Sequence, residues 1–406
     1  MGPRGGIGPR EALASGTAEQ SSGIRRDGSA PAEWYDATWN PTGGCSPASP
    51  GCDHCEALQT VSQLARMGGK GGARYIGLTA MGRSGLQWTG EIRVRADVSA
   101  WPLLQRTPRR ILVNSLADLF HQELAVETID ALHAVIAIAH WHRFLVLTKR
   151  ADRMRAYYAD PQTPYRIAVA IDSLAATVLP SLERHPRSSR EGTVPVPGVT
   201  RTRSAGARQL WEVGLSRVIR QAPDPQSGKQ GSIGLDPWPL PNLWPGVSVE
   251  DQERIGRIGD LLQMPASQRW ACFEPLLGPV RPDAVPVGEG YVDALLGGCY
   301  RLDGRGRRVA ISGTEWRPLD WVVGGGEIGP GARPSDSDWV RALRDGCVAA
   351  GLPFLFKQWG EWAPAPDDGF GHRMVHIGRR AAGRLVDGRS WDELPPALHK
   401  GAGRQR

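Results

Sequence analysis

The strongest constraint on the fold of this chain is a series of short, nearly continuous apolar runs, each closing on polar or glycine residues. Ile111-Leu112-Val113 runs into Asn114-Ser115-Leu116-Ala117-Asp118, and Phe144-Leu145-Val146-Leu147 into Thr148-Lys149-Arg150. Residues 243–247 run into Ser248-Val249-Glu250-Asp251, and Trp270-Ala271-Cys272-Phe273 into Glu274-Pro275. Trp321-Val322-Val323 runs into Gly324-Gly325-Gly326-Glu327, and Phe354-Leu355-Phe356 into Lys357-Gln358. Strands buried on both faces of a parallel sheet require this pattern. The segment 34–41 alternates aromatic and polar residues and stops at Pro41, as a further short strand would.

Helical patterns lie between several runs. Residues 57–67 carry Leu58, Val61, Leu64 and Ala65 on one face, and 126–140 carry Ile129, Leu132, His133 and Ile136. Residues 250–262 and 337–350 are the other candidates, with Asp336 or Ser337 as cap for the last. Strand alternating with helix predicts an α/β fold with right-handed crossovers. Six or seven such units suggest a partial or open (β/α) barrel of about six to seven parallel strands, although a doubly wound sheet satisfies the same order. The expected organisation is a disordered leader at 1–32, one barrel-like domain at 33–394 and a disordered tail at 395–406. Two insertions interrupt it. Residues 181–241 read as largely disordered, with a short helix at 210–220. Residues 281–317 read as carrying a hairpin at 300–311 mounted over the site. A further hairpin is expected at 86–94.

No stretch approaches about 18 consecutive apolar residues, which excludes a membrane-spanning helix and predicts no membrane partner. Residues 1–30 lack the apolar segment of a secretory signal, so the expectation is a cytoplasmic protein. The net charge is +7, which makes nucleic acid a candidate partner.

Three of the six cysteines are scattered: Cys272, Cys299 and Cys347 read as packing residues. The other three, Cys45, Cys52 and Cys55, share one loop between a predicted strand and a predicted helix. Ser46-Pro47-Ala48-Ser49-Pro50-Gly51 separates the first two, and Asp53-His54 the last two. Thiols in a reducing compartment cluster for metal or catalysis. The Cys-x2-Cys pair suits zinc or iron–sulfur equally. Structural zinc takes four ligands, and the sequence offers no second pair. An iron–sulfur cluster on three cysteines keeps one iron open to an outside ligand, S-adenosylmethionine being the best-known case.

In a β/α barrel the polar residues at strand C-termini face the active site. Lys149, Glu274 and Lys357 are on that ground the candidate catalytic groups. Asn114, Asp118, Ser248, Glu250, Gly325, Gly326, Glu327 and Gln358 are the candidate cofactor-binding groups. Lysine is scarce here, with only Lys70, Lys229 and Lys400 besides the two at strand ends. Glu327 would accept hydrogen bonds from a ribose or amine, and Glu274 has Arg269 as a possible ion-pair partner. His133 and His140 read as packing residues. Trp359 and Trp362 are candidates for stacking on a base.

Several stretches carry a likeness beyond spacing: Trp39-Asn40-Pro41, Gly44-Cys45, Ser49-Pro50-Gly51-Cys52-Asp53-His54-Cys55, Val113-Asn114-Ser115 and Asp118-Leu119-Phe120-His121. Others are Leu147-Thr148-Lys149-Arg150, Gly246-Val247-Ser248-Val249-Glu250, Glu274-Pro275-Leu276-Leu277-Gly278-Pro279, residues 324–334, Phe356-Lys357-Gln358-Trp359-Gly360 and Leu385-Val386-Asp387-Gly388-Arg389. On these the chain resembles an uncharacterised phage-associated three-Cys-motif family, the phage Gp thirty-seven/sixty-eight family, which looks like a relative of radical S-adenosylmethionine enzymes. The resemblance implies a radical-SAM-like barrel, a [4Fe-4S] cluster on the three cysteines, S-adenosylmethionine and an electron donor. It further implies hydrogen abstraction from a substrate, with nucleic acid or a nucleotide among the classes. The Cys-x6-Cys-x2-Cys spacing is longer than the Cys-x3-Cys-x2-Cys of that superfamily. The alternative is a non-catalytic, phage-associated nucleic-acid-binding protein with a structural zinc on the same cysteines.

Overall fold

The apolar runs pair edge to edge, in chain order, as one parallel sheet. In the computed structural model of the protein, residues 34–83, 85–95, 99–177, 211–221, 232–313, 315–365 and 373–398 are described. The strands are β1 (Ala37–Trp39), β2 (Arg110–Val113), β3 (Arg143–Thr148), β4 (Leu243–Ser248), β5 (Trp270–Phe273), β6 (Trp321–Gly324) and β7 (Phe354–Phe356). Every pairing is parallel, and the sheet curves into a half-barrel. The α/β half-barrel fold is the expected one.

Side chains alternate across a strand, and here the alternation separates two cores. Ile111, Val113, Phe144, Val146, Ala271, Phe273, Val322 and Phe354 face outward into the larger core. There they meet α2 (Val126–Ile138), α3 (Ala151–Ala159), α4 (Thr163–Thr177), α5 (Gly256–Leu262) and α6 (Ser337–Ala350). Asp336 caps α6, accepting from the Asp338 amide at 2.8 Å. The concave face holds Trp34, Leu112, Leu145, Trp244, Trp270, Cys272, Trp321, Val323 and Leu355. The rings of Trp34, Trp270 and Trp321 lie 5.5–5.8 Å apart. Gly246 makes room for this plug, since a Cβ there would sit 2.3 Å from the Trp270 ring.

Several boundaries differ from the sequence reading. The hairpin expected at 86–94 forms earlier, between Thr79–Gly82 and Gly85–Trp88, while Arg93–Val94 pairs with Thr42–Gly43. The helix expected from 250 starts late. Asp251 accepts from the Arg254 amide and caps a 3-10 turn, and α5 begins only at Gly256. Within 181–241, residues 211–215 are helical and Val218–Gln221 pairs with Ser232–Leu235. Trp211, Val218 and Leu235 of this insertion are buried in the outer core. The helix expected at 210–220 therefore gives way to strand at the β-branched pair Val218-Ile219. The crossover from β5 to β6 carries a four-stranded antiparallel sheet: Val285–Val287, Gly290–Val292, Cys299–Leu302 and Arg308–Ala310. It packs on α5, where Gly259 meets the Pro286 carbonyl. Residues 1–32 and most of 395–406 lie outside the described residues. Among the described residues no helix is long and apolar enough to cross a membrane.

Candidate metal centre

The inward alternation of each strand continues past its end, and this places the site. Trp270 and Cys272 lead to Glu274, Leu145 and Leu147 to Lys149, Leu355 to Lys357, and Gly246 and Ser248 to Glu250. The layer above the indole plug is therefore charged. Glu250 is fully buried, and its carboxylate takes Lys149 Nζ at 2.5 Å and Arg257 at 2.9 Å. Burial pushes this carboxyl up, but Lys149 and Arg257 outweigh it and hold Glu250 below the usual carboxylate range. Glu274 pairs with Lys357 and accepts from Gln358 Nε2 at 2.6 Å. Burial works to lower the Lys357 pKa, yet Glu274 keeps it above the ordinary lysine value. The Lys357 ammonium also lies 5.5 Å from the Trp34 ring centre. Arg269, the partner expected for Glu274, instead donates to the carbonyls of Leu261 and Met264.

The cysteine loop leaves β1 at this mouth and ends at Cys55, the N-cap of α1 (Glu56–Met67). Four side chains hold it. Ser49 Oγ donates to Glu250 Oε1 at 2.7 Å. Arg150 donates to the Ser46 carbonyl at 2.9 Å and to Asp118 at 2.9 Å, with its Nη1 3.9 Å from Cys45 Sγ. His121 Nε2 meets Ser46 Oγ at 2.7 Å. Arg333 donates to the Pro50 carbonyl at 2.8 Å and reaches Asp53 at 3.3 Å. Gly51 lies so close to Glu250 that a Cβ would sit 2.4 Å from its Cγ.

The three thiols are close enough to feel one another's charge. Burial pushes the Cys45 thiol up to about 12, with Asp118 adding to it, Arg150 opposing it, and Cys55 and Cys52 each raising it further. Burial also raises Cys55, against the amides of Leu58 and Ala57 at the start of α1. Among the described residues no group of three or more His, Cys, Asp and Glu side chains is set as a metal shell. The nearest imidazoles are directed elsewhere, His121 to Ser46 and His54 against Gly331. Cys45, Cys52 and Cys55 are free, half-buried thiols on one loop; by their chemistry three thiolates suit an iron–sulfur cluster, whereas a structural zinc takes a fourth ligand.

The remaining candidates serve the chain's own architecture. Asn114, with φ +57°, donates to Thr42 Oγ1 at 2.9 Å. Asp118 accepts from Thr148, Phe120 and Arg150. Ser248 donates to the Glu274 carbonyl at 3.2 Å. The close approaches that Gly325 and Gly326 permit are to Glu274 and to the Trp359 carbonyl. Glu327 is occupied by Arg333, which it binds at 2.6 and 2.9 Å, and so acts on the cysteine loop through that arginine. Trp359 is 3% exposed and its Nε1 is bonded to the Leu385 carbonyl, so it offers no face for stacking. Trp362 is half-buried and donates to the Ala332 carbonyl. His133 is buried between the Ile129 carbonyl and the Tyr158 hydroxyl, as a packing residue.

A family profile described as "Protein of unknown function (DUF5131)" matches residues 29–395. The chain belongs to this family. No curated protein and no solved structure matches it. The DUF5131 match spans the half-barrel, the cysteine loop and the antiparallel sheet alike. Sequence reasoning missed Trp34, Arg257 and Arg333, which complete the site of this DUF5131 member. The inward alternation of strands was the available signal for the charged layer. Arg333 had none, since its partners on the cysteine loop lie 280 and 283 residues away.

Proposed function

We propose that Cys45, Cys52 and Cys55 hold a [4Fe-4S] cluster with one open iron, and that the chain is a phage-associated, radical-SAM-like enzyme. The reading is carried by one observation: three free cysteines on a single loop, which Ser49 and Arg333 pin at the end of a parallel half-barrel. With S-adenosylmethionine on the open iron and an external electron donor, such a cluster supplies reductive cleavage of the sulfonium and hydrogen abstraction from a substrate. The protein's residues do the rest. The indole plug closes the barrel beneath the mouth and excludes water there. Lys149 with Glu250, and Lys357 with Glu274 and Gln358, fix the charges that face a bound ligand. Arg150, beside Cys45, favours the thiolate form that metal binding requires.

Anaerobic purification tests the metal. The expected product is a brown protein with about four iron and four sulfide per chain. The chemistry is tested by following S-adenosylmethionine under a strong reductant. 5′-Deoxyadenosine should form with the wild type and not with the C45A/C52A/C55A variant. A colourless protein with a single zinc, or a cluster-loaded protein that leaves S-adenosylmethionine intact, overturns the proposal.

A further inference from the structure

The antiparallel sheet between β5 and β6 carries a second site. Residues paired across neighbouring strands share a face. The pairings Tyr291 with Tyr300, Tyr300 with Ala310, and Leu302 with Arg308 therefore gather an aromatic and basic surface on one side. The two tyrosine rings are stacked, 5.6 Å apart and 21° from parallel. The Arg308 guanidinium lies 4.4 Å from the Tyr300 ring centre. With Gln252 and Arg281 these residues line a cavity of about 370 Å³. Leu302, at its rim, is 48% exposed.

The charges show what the cavity accepts. Arg281 and Arg308 both turn to one carboxylate, Asp283, which leaves an uncompensated positive charge. In the turn of the same hairpin, Arg305 is exposed and has no ion-pair partner among the described residues. A flat aromatic recess flanked by guanidiniums matches a base with its phosphate. Arg305, outside the cavity, extends the match to a further phosphate. A duplex keeps its bases stacked inward and cannot fill the recess. Gln252 follows Glu250 by two residues, so this wall lies within about 7 Å of chain from the carboxylate that anchors the cysteine loop.

We infer that this face binds single-stranded nucleic acid, with one base in the cavity against Tyr291 and Tyr300 and the backbone along Arg281, Arg308 and Arg305. The inference deepens the proposed function by naming the substrate class, and rests on it only for the chemistry done on the bound strand.

Fluorescence anisotropy of the full chain with labelled single strands of about 12 nucleotides tests it. Tyr291→Ala should weaken binding about tenfold and Tyr291→Phe restore it. The exposed double variant R281E/R305E should weaken binding at least as much and flatten its salt dependence; thermal melts show that each variant is folded. Cluster-free and cluster-loaded protein should give the same isotherm, so failure here is distinct from failure of the S-adenosylmethionine assay. The inference is overturned by R281E/R305E binding as the wild type does. A duplex or mononucleotide bound as tightly as the strand overturns it equally, as does binding that occurs only with the cluster.

Discussion

Ser49 donates its hydroxyl to the buried carboxylate of Glu250, 201 residues further along the chain, at 2.7 Å. The contact ties a loop that carries the thiols to the end of a central strand. Glu250 in turn neutralises Lys149 and Arg257, so the loop's position and the charge balance of the barrel mouth depend on one side chain.

Removing that charge should therefore be costly. Glu250→Gln keeps the volume but leaves two buried cations facing a neutral amide, and should destabilise the fold by about 3 kcal/mol. Urea unfolding at pH 7 measures it, and a loss below about 1 kcal/mol would show that the cations find other partners.

Gly51→Ala puts a methyl group where Glu250 and Lys149 already are. The loop must shift, at a cost of about 2 kcal/mol, and metal content should fall with it. Gly71→Ala is the control, because a Cβ there meets nothing within 4 Å. Equal metal content in the two variants would contradict the packing argument.

Arg333 joins Glu327 to the Pro50 carbonyl with its planar fork. Arg333→Ala should free the loop and speed alkylation of Cys52 several-fold in metal-free protein. Lysine should not rescue it, since one ammonium cannot serve both partners. Unchanged alkylation rates would place the restraint elsewhere.

Burial lowers the pKa of His133 and of His142 to about 4. Both are neutral in the fold, whereas the unfolded chain titrates near 6.5. Between these values the unfolded state binds more protons, so stability is present above about pH 6.5 and falls as pH drops toward 4. By linkage each histidine should remove about 2 kcal/mol by pH 5. Urea midpoints at pH 7, 6 and 5 test the sign, and a flat profile refutes it.

The sheet was legible because a strand buried on both faces writes its whole length in apolar residues. Each of the six runs from Ile111 to Phe356 became a strand of the sheet. The shape of the crossovers was less legible. Asp251 turns the chain before α5, and only the pairing of Tyr291 with Tyr300 shows that the 281–317 segment is a sheet with a lined face. At the site, strand ends named Lys149, Glu274 and Lys357, but not their partners. Glu274 and Lys357 are 83 residues apart, and pairing at that range follows from which strands become neighbours. The glycines after β6 suggest approach to a ligand, whereas they admit Glu274 and the Trp359 carbonyl, because periodicity does not say what a bare backbone will face.

The clamp on the cysteine loop also sets a timetable. Arg333 reaches back 283 residues to Pro50, so at about 5–20 residues per second the ribosome delivers the thiols tens of seconds before their fastener. The sulfurs emerge first, and only the His121 and Arg150 contacts to their loop can form before the middle of the chain is made. The loop thereby takes its final position only once residue 333 has been made.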